Sequence, residues 1–554
     1  MAEDRFDADV IVVGGGPAGS TAATMLTRKG HRVLLLEKEL FPREHIGESL
    51  LPASLPILEA LGVLPAIEAA GFLKKYGATM VWGSGDEPWS WHFRETNRTH
   101  PHAYQVWRPL FDKILLDHSA ALGADVRQGC RVTDLHLRGQ EEMRVEYTQG
   151  GVARVARGRF VVDASGQAGL IGRKLGLRRP DEQFQNLAVY GYFEGCERLP
   201  PPDETNIFIE SYEYGWFWMI PLHTGQMSVG AVVDHRHGSD GIRELGLEAF
   251  LRQQIATAPH AARMLRDATL ASGPHVIRDW SYVSDEVTGD GWVLAGDAAC
   301  FIDPLFSTGV HLALSAGALA AAYVTTALKD QEMARAAGAA HKELYYSQYN
   351  LFRQLAGMFY ATNRSVESYF WEARRILDDE GADPRSAFIR AVAGQPPKGY
   401  ERVVLERGEA PAGLVEGIAA VVDDRARRKA AYDEALRREG EGGTAVHAAV
   451  PIPGAELRVE RRPILGDGEF AWGDVLLSAA RPEGMPVSPF VARLVGAIDG
   501  VRTTAEVIAC LADEAGTTRA AITGNVLAAL GILFADGAID GLATAGQMDT
   551  SGRR

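Results

Sequence analysis

The sequence predicts an α/β fold: a glycine-rich strand–turn–helix unit opens the chain, an aromatic extended stretch lies further on, and a helical region with a small terminal domain completes it. Three observations carry that reading. "DVIVVGGGPAGSTAATMLTRKGHRVLLLEKE", from Asp9, is a βαβ unit with glycines at its first turn. "GWFWMIPL", from Gly215, puts Trp216 and Trp218 two residues apart on an extended run, so both indoles share one face. After Gly309 the pattern turns helical, and at 554 residues the chain is too long for one core, so two or three domains are expected.

The bulk composition narrows the class. A formal charge of −15 argues against a general nucleic-acid binder, whose footprint is basic. Cys130, Cys196, Cys300 and Cys510 are scattered without CxxC or Cys/His spacing, which excludes the usual zinc sites and fits reduced cytoplasmic thiols. The start, "MAEDRFDADVIVV", lacks a signal-peptide pattern. "GALAAAYVTTAL" (Gly317 to Leu328) is too short to cross a bilayer and reads as a packed helix. The expectation is a soluble, cytoplasmic protein with no nucleic-acid or membrane partner and no metal.

In the opening unit, Asp9 to Val13 is a buried strand and Arg32 to Leu36 the second one. Between them stands G-x-G-x-x-G: Gly14 allows the tight turn, Gly16 lets backbone approach a pyrophosphate, and Gly19 lets helix and strand pack closely. The helix N-terminus supplies amides for the anion. Glu37, eighteen residues past Gly19, is placed to accept hydrogen bonds from a ribose diol.

Four later segments resemble flavin monooxygenase-type proteins of the p-hydroxybenzoate hydroxylase-like fold. They are "FPREHIGESLLP" (Phe41 to Pro52), "YQVWRPLFDKILLDHS" with Arg108 and Asp112, "VVDASGQAG" (Val161 to Gly169), and Gly296-Asp297 in "GWVLAGDAACFIDP". The resemblance implies FAD in a Rossmann-type domain, joined to a substrate-side antiparallel sheet. Its contacts then fall on Gly14, Gly16, Ala18, Gly19, Glu37, Lys38, Arg43, Ile46, Gly47, Glu48, Ser49, Arg108, Asp297, Gly309 and Val310.

Trp216-x-Trp218-x-Ile220-Pro221 and Phe301-x-x-Pro304-x-x-Ser307-x-Gly309 together resemble the two signatures of flavin-dependent halogenases, with the resemblance covering roughly residues 5 to 400. In that family the indole wall keeps the organic substrate from the flavin hydroperoxide. "GFLKKYGATMVWG" (Gly71 to Gly83) resembles the F-x-x-K-x-G-A segment of phenol-type halogenases, and Lys75 falls on the family lysine. Lys74 points to the opposite face of an extended chain. The resemblance implies that reduced FAD and oxygen form a C4a-hydroperoxide, that a halide attacks it, and that the resulting hypohalous acid reaches Lys75. There the ammonium polarises it, or the neutral amine forms a haloamine. The catalytic set is therefore Lys75, Trp216, Trp218 and Ser307, with chloride or bromide at the amides of Thr308 and Gly309.

Phe306 stands where tryptophan halogenases carry a glutamate, so the implied substrate is an electron-rich phenol or pyrrole in natural-product biosynthesis, free or tethered to an acyl or peptidyl carrier protein. No second strand–GxGxxG–helix unit is present, so reduced flavin is expected from a separate reductase. An aromatic hydroxylase of the same fold and an inactive flavoprotein docking module are the alternatives.

The expected boundaries are a halogenase core at 1–330 with substrate-side sheet at about 72–107 and 185–280, a helical region at 331–436, a linker at 437–460, and a winged-helix-like domain at 461–554. Aromatics at helical spacing (Tyr345, Tyr349, Phe352, Phe359) read as core or tunnel lid. "RREGEGGTAVHAAVPIPGAE" (Arg437 to Glu456) is a Gly- and charge-rich break. The last stretch reads as short helices ending in a hairpin, too poor in Lys and Arg for DNA.

Overall fold

The computed structural model describes residues 6–82, 85–360, 383–394, 429–434, 446–479 and 481–543. Two compact units divide the chain, the larger built mainly from 1–379 and the smaller mainly from 470–554.

The larger unit begins with the expected parallel sheet. Val10–Val13 lies between Val33–Leu36 and Phe160–Asp163, and all three strands are buried end to end. Asp125–Arg127 and Trp292–Leu294 extend it on either side, and Thr288–Gly289 closes one edge antiparallel. Continuous apolar strands suit a sheet covered on both faces. The helix Pro17–Arg28 starts with proline at its first turn, where no N–H is missed.

Glycines at this turn are dictated by space. Gly14 has φ +104, and a Cβ there would stand 2.3 Å from the Ala164 carbonyl oxygen. At Gly19 a Cβ would stand 1.9 Å from the carbonyl oxygen of Gly14, backbone that cannot yield without parting helix and strand. Gly19→Val is therefore expected to purify without flavin and to melt at lower temperature, as flavin absorbance and thermal unfolding would report.

The second sheet has eight strands, in the order Cys300–Phe301, Thr269–Ser284, Arg178–Glu194, Met227–Asp234, Gly215–Pro221, Ile207–Tyr212, Gly77–Val81 and Trp89–His92. It is antiparallel except where Ile207–Tyr212 runs parallel to Gly77–Val81. Alternation gives it two faces. Phe217, Met219, Val229 and Ala231 pack against Phe250, Leu251 and Met264 of covering helices. Trp216 and Trp218 occupy the other face, toward the rest of the unit.

The helix Thr308–Lys329 crosses behind the first one so closely that a Cβ on Gly317 would lie 2.4 Å from the Ala18 carbonyl. It corrects the reading of its apolar segment: at 22 residues it is long and apolar enough to cross a membrane by length and composition, and its apolar window is wholly buried inside the protein. Gln331–Tyr360 packs along it, burying Tyr345, Tyr349, Phe352 and Phe359.

In the smaller unit, helices Pro489–Ala497, Thr504–Glu514 and Arg519–Ala535 enclose Leu494, Val507, Ile508, Leu511, Val526 and Leu530. Ser488 caps the first of them, and a Thr503/Glu506 capping box starts the second. Two expectations need correction. The stretch taken as a linker at 437–460 contains the strand Val450–Pro453 and the start of Arg458–Gly466, while 437–445 lies outside the described residues. Ile539–Ala543 forms no terminal hairpin but pairs antiparallel with Val450–Pro453, so the strands bracket the helices. The three-stranded sheet Arg458–Gly466, Glu469–Ser478 and Arg481–Val487 was not foreseen either.

Candidate active site

The first turn and two arginines build an anion cradle. A Cβ on Gly16 would meet only the Arg43 guanidinium, at 3.5 Å, so the approach to the helix N-terminus is open. Arg43 Nη2 lies 3.3 Å from Asp112 Oδ2, whereas its Nη1 is buried without a hydrogen-bond partner. A buried guanidinium N–H left unpaired is costly, and a phosphate oxygen is the acceptor it fits. Ser49 Oγ is likewise buried and unpaired. These residues fit a bound dinucleotide. Glu37 holds the turn itself, accepting from Gly15 N at 2.6 Å and from Glu39 N at 2.8 Å. Ala18 supports the cradle by packing, 3.1 Å from where a Cβ on Gly296 would sit. Lys38 faces solvent beside Glu39, 3.7 Å away, and its side chain lies outside the cradle.

Arg108 begins the helix Arg108–Ala121 and clamps the flavin-side segment. Its Nε and Nη2 donate to the two Asp112 carboxylate oxygens at 2.8 and 2.9 Å, and its Nη1 donates to the carbonyls of Ile46 and Gly47. Burial alone would raise the Asp112 pKa, but Arg108 outweighs it and Arg43 adds to the effect, so the carboxyl is held below its ordinary value. Gly47 has φ +99 and no room for a side chain, because a Cβ would lie 2.9 Å from Arg108 Nη1, with Val310 next at 3.8 Å. Glu48 is buried and its pKa is raised by desolvation, against the opposing hydrogen bond from Tyr192 OH at 2.9 Å. Asp297 is pushed up to about 6 by burial, countered by the charges of Arg108 and Arg178.

Lys75 ends the strand Leu73–Lys75, which pairs with Ala103–Gln105. The alternation expected of the lysine pair is realised, with Lys74 exposed and Lys75 only 2 % exposed. Its Nζ donates to the Leu50 carbonyl at 3.1 Å and stands 5.5 Å from the Phe93 ring centroid. Among the described residues no carboxylate pairs with it, and burial lowers its pKa to about 7. This amine lines a narrow, partly open cavity of about 10 Å³, space for a single water, together with Leu51, Ala78, Trp91, Phe93, Ile207, Ile209, Leu305, Phe306, Ser307 and Val392. Among the described residues the lining is apolar apart from Lys75, Ser307 and the Trp91 indole and includes no acid.

Ser307 enters this cavity from the turn before Thr308–Lys329. At φ 59 it is a left-handed residue, and it leaves the helix N-terminus without a side-chain cap. A Cβ on Gly309 would meet nothing within 4 Å, so the first turn faces open space.

The tryptophans do not line the Lys75 cavity but stand beside it. Trp218 is opposite Ile209, a lining residue, and Trp216 opposite Ser211, on the same sheet face. Their ring centroids are 6.1 Å apart. Trp218 lies over Gly230, where a Cβ would be 2.1 Å from Cζ2, and meets Tyr190, whose neighbour Tyr192 bonds Glu48. Trp216 meets Trp82, which touches Phe359, which packs on Phe306 of the cavity wall. The indole pair thus joins the Glu48 side to the Lys75 side.

Trp91 and Phe93 were missed as lining residues. "WSWHF" carries the same alternation as "GWFWM", so treating Trp89 and Trp91 by the rule used for Trp216 and Trp218 would have marked them.

The chain resembles known proteins over most of its length. A family profile described as tryptophan halogenase matches residues 9–101 and 94–403. A tryptophan 2-halogenase from Chondromyces crocatus is 35 % identical over 396 residues, covering 70 % of this chain and 75 % of the relative. A 1H-pyrrole-2-carbonyl-[peptidyl-carrier protein] chlorinase from Pseudomonas fluorescens is 32 % identical over 397 residues, covering 67 % and 88 %. Among solved structures, the flavin-dependent halogenase CmlS covers 99 % of this chain and 98 % of its own at 28 % identity, with a TM-score of 0.68. The myxobacterial chondrochloren halogenase CndH covers 70 % and 90 % at 40 % identity, with a TM-score of 0.62.

Proposed function

Because the chain belongs to the tryptophan halogenase family of flavin-dependent halogenases, we propose that it halogenates an electron-rich phenol or pyrrole held against Lys75. The observation that carries this reading is the buried amine in an acid-free, largely apolar cavity.

Reduced FAD, when bound, would supply the two electrons with which oxygen oxidises halide to hypohalous acid. The protein does the rest. Arg43, Arg108 and the Gly16 turn hold the cofactor, and the first turn of Thr308–Lys329, with the amides of Thr308 and Gly309, receives the halide. The indoles of Trp216 and Trp218 exclude the substrate from the cofactor and admit the small oxidant. With its pKa near 7 the Lys75 amine is substantially neutral at neutral pH. It attacks the halogen of hypohalous acid to form an N–halogen bond and release water. The aromatic carbon then takes the halogen and returns its proton, restoring the amine. Among the described lining residues no carboxylate stands ready to remove the arene proton, which favours a ring activated by its own oxygen or nitrogen. The carrier-tethered substrate in one relative's name makes a carrier-bound acyl group one of the forms to test. We assign reductant supply to a separate flavin reductase and place the reaction in the cytoplasm.

The test is mass spectrometry after incubating the full chain with reduced FAD, oxygen, chloride or bromide, and free and carrier-loaded phenols and pyrroles. Halide-dependent replacement of hydrogen by halogen is expected. Oxygenated product without halogen would select a hydroxylase, and carrier binding without turnover a docking module. Trp218→Leu is expected to lower the ratio of halogenated to oxygenated product, because a gap in the indole wall lets substrate reach the cofactor.

A further inference from the structure

The two halogenase signatures are far apart in sequence, yet a hydrogen-bonded chain joins them through a residue outside both. Trp216 Nε1 donates to the Tyr360 hydroxyl at 2.6 Å. Tyr360 in turn donates to Asp303 Oδ2 at 2.6 Å. Asn186 Nδ2 donates to the same Asp303 oxygen at 3.1 Å and reaches the Tyr360 oxygen at 3.3 Å. The other oxygen, Asp303 Oδ1, accepts from Leu305 N at 3.0 Å and so caps the short turn Pro304–Phe306. That turn delivers Ser307 into the Lys75 cavity.

Among the described residues the donors and acceptors of this chain pair consistently. Burial raises the pKa of Asp303, which is 2 % exposed, to about 6, against the opposing hydrogen bonds from Tyr360, Leu305 N and Asn186, so at neutral pH it serves as the acceptor of all three. Tyr360 must give its only proton to Asp303, which leaves its oxygen to receive the indole N–H. Each side chain then has one orientation. A tyrosine packed only for its ring would not need a buried carboxylate behind it, and Tyr360 already has ring contacts with Trp82 at 6.4 Å and Phe184 at 5.5 Å.

Resting on the halogenase reading, we propose that Tyr360 and Asp303 are positioning residues that lock the Trp216 indole to the turn carrying Ser307, so that the partition and the halide side move as one body. Without the lock, the indole and the turn are free to adopt separate orientations. Halide at the turn is then oxidised less often, and the two electrons of the reduced flavin leave with oxygen as hydrogen peroxide before hypohalous acid forms.

The test compares wild type, Tyr360→Phe, Asp303→Asn and the double variant, measuring halogenated product per oxygen consumed, peroxide released, FAD affinity and substrate KM. Tyr360→Phe keeps the ring and removes only the hydroxyl. Loss of a hydrogen bond to a buried ionised group is expected to lower product per oxygen on the order of tenfold, with matching peroxide and with FAD affinity and KM unchanged. Asp303→Asn should show the same loss, and the double variant no more than either single one, since both cut one chain. Wild-type coupling in Tyr360→Phe, or losses that multiply in the double variant, would overturn the proposal. An absence of halogenated product from wild type itself would instead count against the halogenase reading.

Discussion

Lys75→Ala is expected to abolish halogenated product while the flavin stays bound and reduced flavin is still consumed by oxygen. Among the described residues Lys75 bonds none of those that clamp the cofactor side: its Nζ donates to the Leu50 carbonyl and stands near the Phe93 ring. The same residue gives a stability signature independent of activity. Its folded pKa, about 7, lies below that of an unfolded lysine because burial penalises the charge. Below pH 7 both states are protonated, and the folded protein bears the full desolvation cost. As pH rises from about 7 toward the unfolded value the native amine is already neutral, the unfolded chain binds more protons, and stability increases. Lys75→Met is therefore expected to stabilise the protein most below pH 7, by an amount bounded at roughly 4 to 5 kcal/mol for a shift of this size. The gain shrinks as pH climbs. Thermal unfolding of both proteins across that range checks it, and an equal difference at every pH would contradict the burial argument. Retained halogenation in Lys75→Ala would remove the lysine from the mechanism.

The parts of this site that were legible in the sequence are those fixed by local geometry. Alternation on an extended chain is enough to choose Lys75 over Lys74, and strand periodicity places both indoles on one face. Glycines forced by contact also leave a trace, since Gly14, Gly19 and Gly47 have no room for anything else. What was hidden depends on partners distant in the chain. The acceptor of Lys75 is a backbone carbonyl, which any residue supplies. Tyr360 lies 144 residues from the indole it holds, and its position on a long helix suggests only core packing. Asp303 falls on an unassigned position of the second signature, and nothing local shows that three donors converge on it. The terminal unit was misjudged for a related reason. "VPIP" looks like broken linker because of its prolines, but strand pairing with Ile539–Ala543 closes over some ninety residues and leaves no periodic signal near either strand. Thr308–Lys329 was underestimated because Gly309 and His311 interrupt its apolar run, although His311 is itself buried.

Asp112→Leu is expected to have the other large effect, on the cofactor and the fold together. This carboxylate is fully buried and answers two guanidinium groups, Arg108 through a bidentate pair and Arg43 at 3.3 Å. Removing it leaves two buried cations without a counterion, and breaking a buried pair in this way costs about 3 to 5 kcal/mol. Arg108 also ties the carbonyls of Ile46 and Gly47, so its release frees the segment that carries Glu48. The folded pKa of Asp112 is held below its unfolded value, so its contribution is present above the unfolded pKa of about 4 and fades as pH falls through the lower folded one. The destabilisation should accordingly be largest at neutral pH and diminish in acid. Flavin titration and thermal melts at neutral and acidic pH would measure both consequences. A variant that binds FAD as tightly as wild type would show that the arginines keep their places without this acid, and that the cradle is organised by the backbone alone.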